Sequence, residues 1–335
     1  MAPRMYGHIL SASGQLPDAM LMGESVEEDE FSHITVLREE VAEFLEVREG
    51  MLILDGTLGG GGHAEALLER GAMVVGVDQD EEALEAACER LEPFGERFLA
   101  LGENFRDLGE ILEEASVQLD GVVLDLGVSS WQLDSPARGF SFRHNAPLDL
   151  RMDRSSGLTA AEFLAEVEES DLADIFWKYG DERASRKIAK AIMARRAKEP
   201  IETTYDLAET IEKVVPRRGR VHPATKAFQA LRIFINDELG ALEEALTWIP
   251  RHLKPGGRVA IVSFHSLEDG MVKRWMRGLS SEWIDRPEWS EPRRNPSCVL
   301  REVFKKGIVP SKEEIERNPR SRSARLRVAE RRRKA

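Results

Sequence analysis

The 335-residue sequence has little cysteine and no long apolar run. Its two cysteines, Cys88 and Cys298, lie far apart and give neither a metal-ligand spacing nor a disulfide framework, so a reducing, cytoplasmic location is expected. No apolar stretch approaches the roughly 20 residues that a membrane span needs. The first 20 residues also lack the apolar core of a secretion signal. We therefore expect a soluble globular protein with no membrane partner and no bound metal.

Positive charge is also scarce overall, because the net charge is -13. Nucleic-acid binding depends on Lys and Arg, so this value alone argues against such a partner. The distribution reverses that inference. Residues 1–50 carry eleven acidic side chains against three Arg, residues 292–335 carry fifteen Lys/Arg against five Glu, and residues 183–198 carry seven cations and no acid. The basic segments either contact phosphates or form a solvated helix face and a disordered tail, and charge alone leaves both open.

Short apolar runs alternate with amphipathic helical patterns along much of the chain. Strands are expected at 51–55, 72–78, 120–128 and 256–264, with helices at 63–71 and 81–94 between the first of them. This alternation predicts an α/β fold with a mostly parallel, doubly wound sheet. The strand rhythm stops over 136–215, where helical patterns predict an inserted helical domain. We expect a sheet domain at 31–135 and 216–335, and an acidic flexible extension at 1–30.

The sequence DGTLGGGGH at 55–63 follows the first expected strand, where ligands of doubly wound folds bind. It lacks the lysine of a phosphate-binding P-loop, although Gly59, Gly61 and Ala64 satisfy the weak dinucleotide pattern G-x-G-x-x-A. Asp78 closes the next strand about 20 residues later, the place of a carboxylate that binds ribose hydroxyls. Asp55 suits a cationic ligand or orders the loop. S-adenosylmethionine, which has a ribose, an amine and a sulfonium but no phosphate, is the cofactor that fits.

A second polar group, DLGVSSWQLD at 125–134, follows a further strand that should end at the same sheet edge. Asp125 can therefore face the same pocket as the glycine loop. Ser129 and Ser130 are interpreted as turn-forming residues. Gln132 either hydrogen-bonds a ligand or is solvated.

With these motifs identified, the sequence closely resembles the bacterial family of 16S ribosomal RNA (cytosine-N4)-methyltransferases. The matching stretches cover residues 31–331 in order. Besides DGTLGGGGH and DLGVSSWQLD they include HITVLREE (33–40), VDQD (77–80), RGFSF (138–142), LDLRMD (148–153), YGDER (179–183), HPATKAFQALRIFIN (222–236), GGRVAIVSFHSLED (256–269) and NPRSRSARLRVAER (318–331). The sequence departs from the family pattern at Trp131, where proline is usual, and at Gly270, where a basic residue is typical.

The resemblance implies a Rossmann-like class I methyltransferase that transfers a methyl group from S-adenosylmethionine to the N4 amine of cytosine 1402, in the decoding centre of 16S ribosomal RNA. The implied partner is that RNA or the small ribosomal subunit. The cofactor contacts that it implies fall on seven residues: Gly61, Gly62, His63, Asp78, Phe105, Asp125 and Gln132. From pattern alone, Phe105 would be a core aromatic and His63 an ordinary helix-start residue.

The chemistry needs acceptors for the N–H groups of the cytosine amine, whose lone pair is delocalised into the ring. Asp125, with the backbone carbonyls of 126–129, is the candidate catalytic acceptor. The base must also leave its stack. Cationic side chains are predicted to hold the surrounding phosphates, namely Arg183, Arg186, Lys187, Lys190, Arg195, Arg196, Arg320, Arg322, Arg325 and Arg327.

Two other functions remain compatible with parts of the sequence. A nicotinamide-dependent oxidoreductase would use the glycine pattern and Asp78, but it explains neither Asp55 nor Asp125. A non-catalytic RNA-binding assembly factor would use only the basic segments. The sequence leaves the oligomeric state open, with a homodimer among the options.

Overall fold

The computed structural model describes residues 35–217, 219 and 221–333, so the expected acidic extension at 1–30 lies outside the described residues. The chain divides into two compact units. The first is formed by the described parts of Met1–Gly127 and Gly240–Ala335, and the second by Val128–Leu239. Within the described residues, no helix combines the length and apolar character needed to cross a membrane.

The first unit contains a seven-stranded sheet and a small hairpin. In chain order the strands are β1 (Leu52–Asp55), β2 (Met73–Asp78), β3 (Phe98–Gly102), β4 (Leu119–Asp125), β5 (Leu253–Ser263), the hairpin β6 (Trp283–Ile284) and β7 (Arg293–Arg294), β8 (Leu300–Glu302) and β9 (Arg325–Arg331). The sheet order is β3-β2-β1-β4-β5-β9-β8. The first five strands of the sheet are parallel, whereas β9 runs antiparallel to both of its neighbours. The expected mostly parallel, Rossmann-like sheet is confirmed.

Helices cover both faces of this sheet. They are α1 (Arg38–Phe44), α2 (Gly62–Glu69), α3 (Glu81–Leu91), α4 (Leu108–Glu114), α11 (Glu238–His252), α12 (Ser266–Ser280) and α13 (Lys312–Arg317). Alternate strand residues enter different cores: Leu52 and Leu54 pack with apolar residues of α4, α11 and α12, whereas Ile53 packs with those of α1, α2 and α3. Because the strands are buried on both faces, they read in the sequence as continuous apolar runs.

The C-terminal part of the first unit differs from the sequence interpretation. Residues 325–331, part of the basic segment at 292–335, form β9 between β5 and β8. Leu326 and Val328 are fully buried there. A charged side chain also lies inside: Arg327 is 4% exposed and forms two contacts of 2.7 and 3.1 Å with Asp269 of α12. The disordered-tail alternative, which charge alone left open, does not hold for these residues. The arginines of this strand obscure its alternating apolar residues.

The second unit is built from α5 (Ser130–Asp134), α6 (Ala160–Glu166), α7 (Glu169–Gly180), α8 (Ser185–Arg196), α9 (Thr204–Glu212) and α10 (Thr225–Ile235). Its core includes Phe176, Ile188, Leu207 and Leu231. The unit extends beyond the expected 136–215 at both ends. Val128 and Leu133 pack against this core, and α10 packs against α7. The left-handed backbone of Asp237 (φ 44°) ends α10 before α11 begins.

Candidate functional site

Three aspartates end adjacent parallel strands of the first unit. Asp55 closes β1, Asp78 closes β2 and Asp125 closes β4. Since β2, β1 and β4 are neighbours in the sheet, all three lie at its carboxyl edge. Ligands of open α/β sheets bind at this edge, and the strand order reverses direction between β1 and β4.

The glycine loop between β1 and α2 is fixed to the strands on either side. The N–H of Gly56 donates to the carbonyl of Val123 at 2.9 Å, and that of Leu58 donates to Val77 at 2.9 Å. Gly59 and Gly61 have φ values of 49° and 77°, which side chains other than glycine rarely adopt. A Cβ on Gly62 would lie 1.8 Å from the Thr35 Oγ1. Conformation and packing thus both require bare backbone here.

The Asp78 carboxylate shapes the loop directly. Its oxygens accept the N–H of Gly59 at 2.8 Å and the N–H of Asp80 at 3.0 Å. Burial raises the pKa of Asp78 to about 6, although these N–H donors oppose the rise. Each carboxylate oxygen has further lone pairs, so a ribose hydroxyl can still be bound. Asp78 is thereby held in place for the contact that the sequence predicts.

Phe105 follows β3 and precedes α4. Its ring is partly buried against the core on the α4 side of the sheet. The indole N–H of the buried Trp248 donates to the Phe105 carbonyl at 3.1 Å, which fixes this backbone segment from α11. Phe105 is therefore a packed core aromatic, as pattern alone suggested. Its predicted contact with adenine stays a prediction.

His63 lies in the first turn of α2 and is 4% exposed. Its Nε2 is 3.4 Å from the Asp125 Oδ2, a charge contact whose direction is too poor for a hydrogen bond. Burial alone would lower the pKa of His63, but the carboxylates of Asp125 and Asp55 outweigh it and raise the pKa. The ring is thus stabilised as a cation between two acids. Sequence reasoning assigned His63 to the cofactor but missed this pairing.

Asp55 is completely buried, and burial raises its pKa to about 6. Its Oδ1 accepts the N–H of Thr57 at 3.3 Å, which supports the loop-ordering interpretation. Its Oδ2 has no hydrogen-bond partner among residues 35–333 that the structure describes. Thr57, overlooked in the sequence, links the loop to β4 because its Oγ1 accepts the N–H of Asp125 at 2.6 Å. A hydroxyl inside a glycine loop was the available signal.

Gln132 belongs to the helical unit and is 4% exposed, so the solvated alternative is wrong. Its side-chain oxygen accepts the N–H of Ser129, and its own N–H donates to the Ser129 Oγ, forming a capping box at the start of α5. Ser129 thus has the expected turn-forming role. The neighbouring Trp131 is 42% exposed, and Gly270 lies within α12.

The cations predicted to hold phosphates fall into two groups. Arg183, Arg186, Lys187 and Lys190 are exposed at and along α8. Arg195 and Arg196 are instead engaged inside the helical unit. Arg195 contacts Glu199 at 2.6 Å, and Arg196 donates to the carbonyls of Leu164 and Val167.

In the C-terminal segment, Arg320 and Arg322 are exposed. Arg325 lies 3.8 Å from Asp269 and is 44% exposed. The phosphate assignment of Arg327 is wrong, because its guanidinium is buried on Asp269.

The sheet order is that of a Rossmann-like, class I methyltransferase fold, and the three carboxylates form a polar site at its carboxyl edge. Carboxylates surround the glycine loop, so the site suits a ligand with hydroxyls and positive charge better than one with phosphates. A sequence model of the MraW methylase family matches residues 30–332, and the chain belongs to this family. Its cofactor is S-adenosylmethionine, and the residues at the sheet edge fit it. Family membership does not favour the nicotinamide-dependent alternative.

Individual relatives cover nearly the whole chain. Ribosomal RNA small subunit methyltransferase H of Carboxydothermus hydrogenoformans is 47% identical over 311 residues, which cover 90% of this chain and 98% of that protein. The protein of the same name from Nostoc punctiforme is 49% identical, covering 91% of this chain and 96% of its own. The one from Geotalea uraniireducens is 47% identical, covering 90% and 99%.

Proposed function

We propose that this protein transfers the methyl group of S-adenosylmethionine to the N4 amine of cytosine 1402 in 16S ribosomal RNA. The observation that supports this reaction most directly is the unpaired carboxylate oxygen of Asp125. One of its oxygens lies against the His63 ring, whereas Oδ1 has no hydrogen-bond partner within the described part of the chain. The Asp125 side chain is 24% exposed. A hydrogen-bond acceptor therefore stands at the sheet edge where the strand order reverses.

S-adenosylmethionine supplies an electrophilic methyl carbon on a sulfonium. Asp78 and the glycine loop bind and orient its adenosine part, and the sequence pattern adds Gly61, Gly62, Phe105 and Gln132 to the contacts. Asp125 accepts an N–H of the cytosine amine through Oδ1, which localises the nitrogen lone pair toward the methyl group. It then holds the proton that the methylated nitrogen loses. Alignment of the reacting atoms supplies much of the acceleration, since positioning contributes up to about 7–11 kcal/mol.

His63 lies directly beside this acceptor, with its Nε2 3.4 Å from the Asp125 Oδ2. The ring contacts Oδ2, whereas Oδ1 has no hydrogen-bond partner among the residues that the structure describes. Asp125 can therefore bind the cytosine amine through Oδ1 while Oδ2 keeps its contact with His63 in the cofactor site.

Asp125→Asn separates the catalytic from the cofactor-binding role of this residue. We expect kcat to fall about 10²-fold or more, the range for losing a positioned proton acceptor, with little change in the Kd of S-adenosylmethionine. Asp107→Asn is the matched control, because Asp107 is an exposed aspartate whose side chain forms no cap bond at α4. Weaker cofactor binding with an unchanged kcat would assign Asp125 to the cofactor alone.

RNA binding is proposed to use the cationic face of α8. Arg186, Lys187 and Lys190 are exposed on this helix, while Ile188 and Ile192 of the same helix are buried. Single-stranded or locally open RNA lets the target base leave its stack at a cost of a few kcal/mol. Since ribosomes are assembled in the cytoplasm, the proposed substrate also implies a cytoplasmic location.

A matched pair of triple variants tests this surface. Replacing Arg186, Lys187 and Lys190 by Gln should weaken RNA binding and reduce its logarithmic salt slope by up to about 2, leaving cofactor binding intact. Replacing Lys273, Arg274 and Arg277 by Gln removes three exposed cations at the same spacing from α12 of the other unit. Equal losses in both variants would mean that overall charge, not α8, governs binding.

Methyl transfer itself is tested with labelled cofactor and two substrates, unmodified small subunits and protein-free 16S RNA. We expect N4-methylcytidine at position 1402 by mass spectrometry, and preference between the substrates identifies the natural one. No label in either substrate would favour the non-catalytic assembly factor. Sedimentation of the active enzyme decides between monomer and homodimer.

A further inference from the structure

Asp55 is a buried acid that the proposed methyl transfer leaves unused. It is 0% exposed, and its Oδ2 has no hydrogen-bond partner among the residues that the structure describes between 35 and 333. An unpartnered oxygen in this setting is costly, because hydrogen bonding normally accompanies the burial of a polar group. Loop ordering accounts only for Oδ1, which accepts the N–H of Thr57.

Charged side chains from three neighbouring elements act on Asp55. It interacts electrostatically with His63 of α2, Asp125 of β4 and Asp78 of β2. His63 in turn is influenced by Arg38 of α1. Counted by formal charge, a His63 cation and the Asp55 and Asp125 carboxylates sum to -1, and the sum becomes zero when Asp55 takes up a proton.

We propose that Asp55, held with His63 and Asp125, distinguishes the methyl donor from its product by charge. S-adenosylmethionine has an ammonium, a sulfonium and a carboxylate, a net charge of +1. S-adenosylhomocysteine has lost the sulfonium charge and is neutral. A cluster with one uncompensated negative charge therefore stabilises the donor more than the product. This inference rests on the cofactor of the proposed function and adds a specificity residue to it.

The proposal makes donor binding a proton-linked reaction. A bound cation favours ionised Asp55, so S-adenosylmethionine should displace a proton near pH 6, where burial places the pKa of Asp55. Asp78 titrates in the same range, but its proposed ribose contact is shared by donor and product. The difference in proton release between the two ligands therefore reports on the cluster of Asp55 and His63, and the Asp55→Asn variant assigns the part that belongs to Asp55. The ratio of their Kd values should change about tenfold across this range, equivalent to one pKa unit.

Titration calorimetry in buffers of different ionisation enthalpy measures the protons released by each ligand from pH 5 to 8. We expect greater release for S-adenosylmethionine near pH 6, and loss of that difference in Asp55→Asn. His63→Gln removes the cation that lowers the pKa of Asp55, so the difference should move to higher pH. The matched control Asp107→Asn should behave as the unchanged protein.

Equal proton release by the two ligands in the unchanged protein would overturn the proposal. Persistence of the difference in Asp55→Asn would also overturn it. If Asp55→Asn does not fold, an unmoved profile in His63→Gln would refute the proposal in its place. Methyl transfer is measured on the same preparations. Equal release with intact transfer would refute the charge discrimination while leaving the proposed function standing.

Discussion

Replacing Asp78 by Asn perturbs both the glycine loop and the predicted ribose contact. In the free protein the carboxylate accepts the N–H of Gly59 at 2.8 Å and that of Asp80 at 3.0 Å. An amide has one oxygen for these two donors and presents its NH₂ to the other. One charge-assisted bond is therefore lost in the loop, and a second is lost to the ribose hydroxyls.

The two losses affect different quantities. A hydrogen bond to a charged group is worth about 1.5–3 kcal/mol, so loss of the ribose contact should weaken binding about 10- to 150-fold. Loss of the hydrogen bond in the loop lowers the free energy of unfolding. Removal of a carboxylate whose pKa burial raises to about 6 increases it. These effects oppose each other at neutral pH. Binding should consequently change more than stability.

Calorimetry at pH 8 measures the Kd of S-adenosylmethionine and S-adenosylhomocysteine for both proteins. Because the ligands share the ribose, we expect Asp78→Asn to weaken the binding of both by a similar factor. The difference in Kd between the variant and the unchanged protein should shrink below pH 6. An unchanged Kd, or weakening confined to one ligand, would refute the assignment of Asp78 to the ribose. Thermal unfolding of the same samples controls for damage to the fold.

Three stability predictions follow from the same structure. Asp55→Asn should raise the free energy of unfolding at pH 8 by up to about 3 kcal/mol. The unchanged protein should lose that stability as pH rises from about 4 to about 6, because its folded state retains the proton there. Equal pH profiles of thermal unfolding for the unchanged protein and Asp55→Asn would contradict this. Gly62→Ala should lower the Tm and weaken cofactor binding, since its Cβ would overlap Thr35. The control is Gly278→Ala in α12, whose Cβ would meet no atom within 4 Å. Equal Tm values for the two variants would refute the packing argument. Asp269→Asn should lower the free energy of unfolding, measured with denaturant, by about 3–5 kcal/mol, because it leaves the charge of the buried Arg327 uncompensated. Arg325→Gln should lower it by less than about 1 kcal/mol. Similar losses in the two variants would show that the buried pair contributes no more than the exposed one.

The sequence predicted the strands whose apolar residues are continuous. β1, β2, β4 and β5 were identified because strands buried on both faces contain few polar residues. β3 escaped notice because its residues FLALG are mostly half-buried and end in an exposed glycine. β9 was missed because Arg327 is neutralised by Asp269, a partner 58 residues away that no local pattern reveals.

The candidate site was predictable where spacing carries the information. Asp78 was identified by its distance from the glycine loop, and it does support that loop through Gly59. The contact between His63 and Asp125 joins α2 to β4, so it depends on folding that local sequence does not encode. Gln132 was a candidate hydrogen-bonding residue, but its capping role emerged only from the geometry of α5. The phosphate assignment failed for Arg327 because composition does not separate buried from exposed cations.

The placement of the methyl donor and the target base can be observed in a crystal structure of the protein with S-adenosylmethionine and cytidine. We expect the ribose on Asp78, the adenosine against the glycine loop, and the sulfonium methyl between its sulfur and a cytosine amine bound to the Asp125 Oδ1. A cofactor bound away from this edge of the sheet, or a cytosine amine oriented away from Asp125, would contradict the proposed methyl transfer.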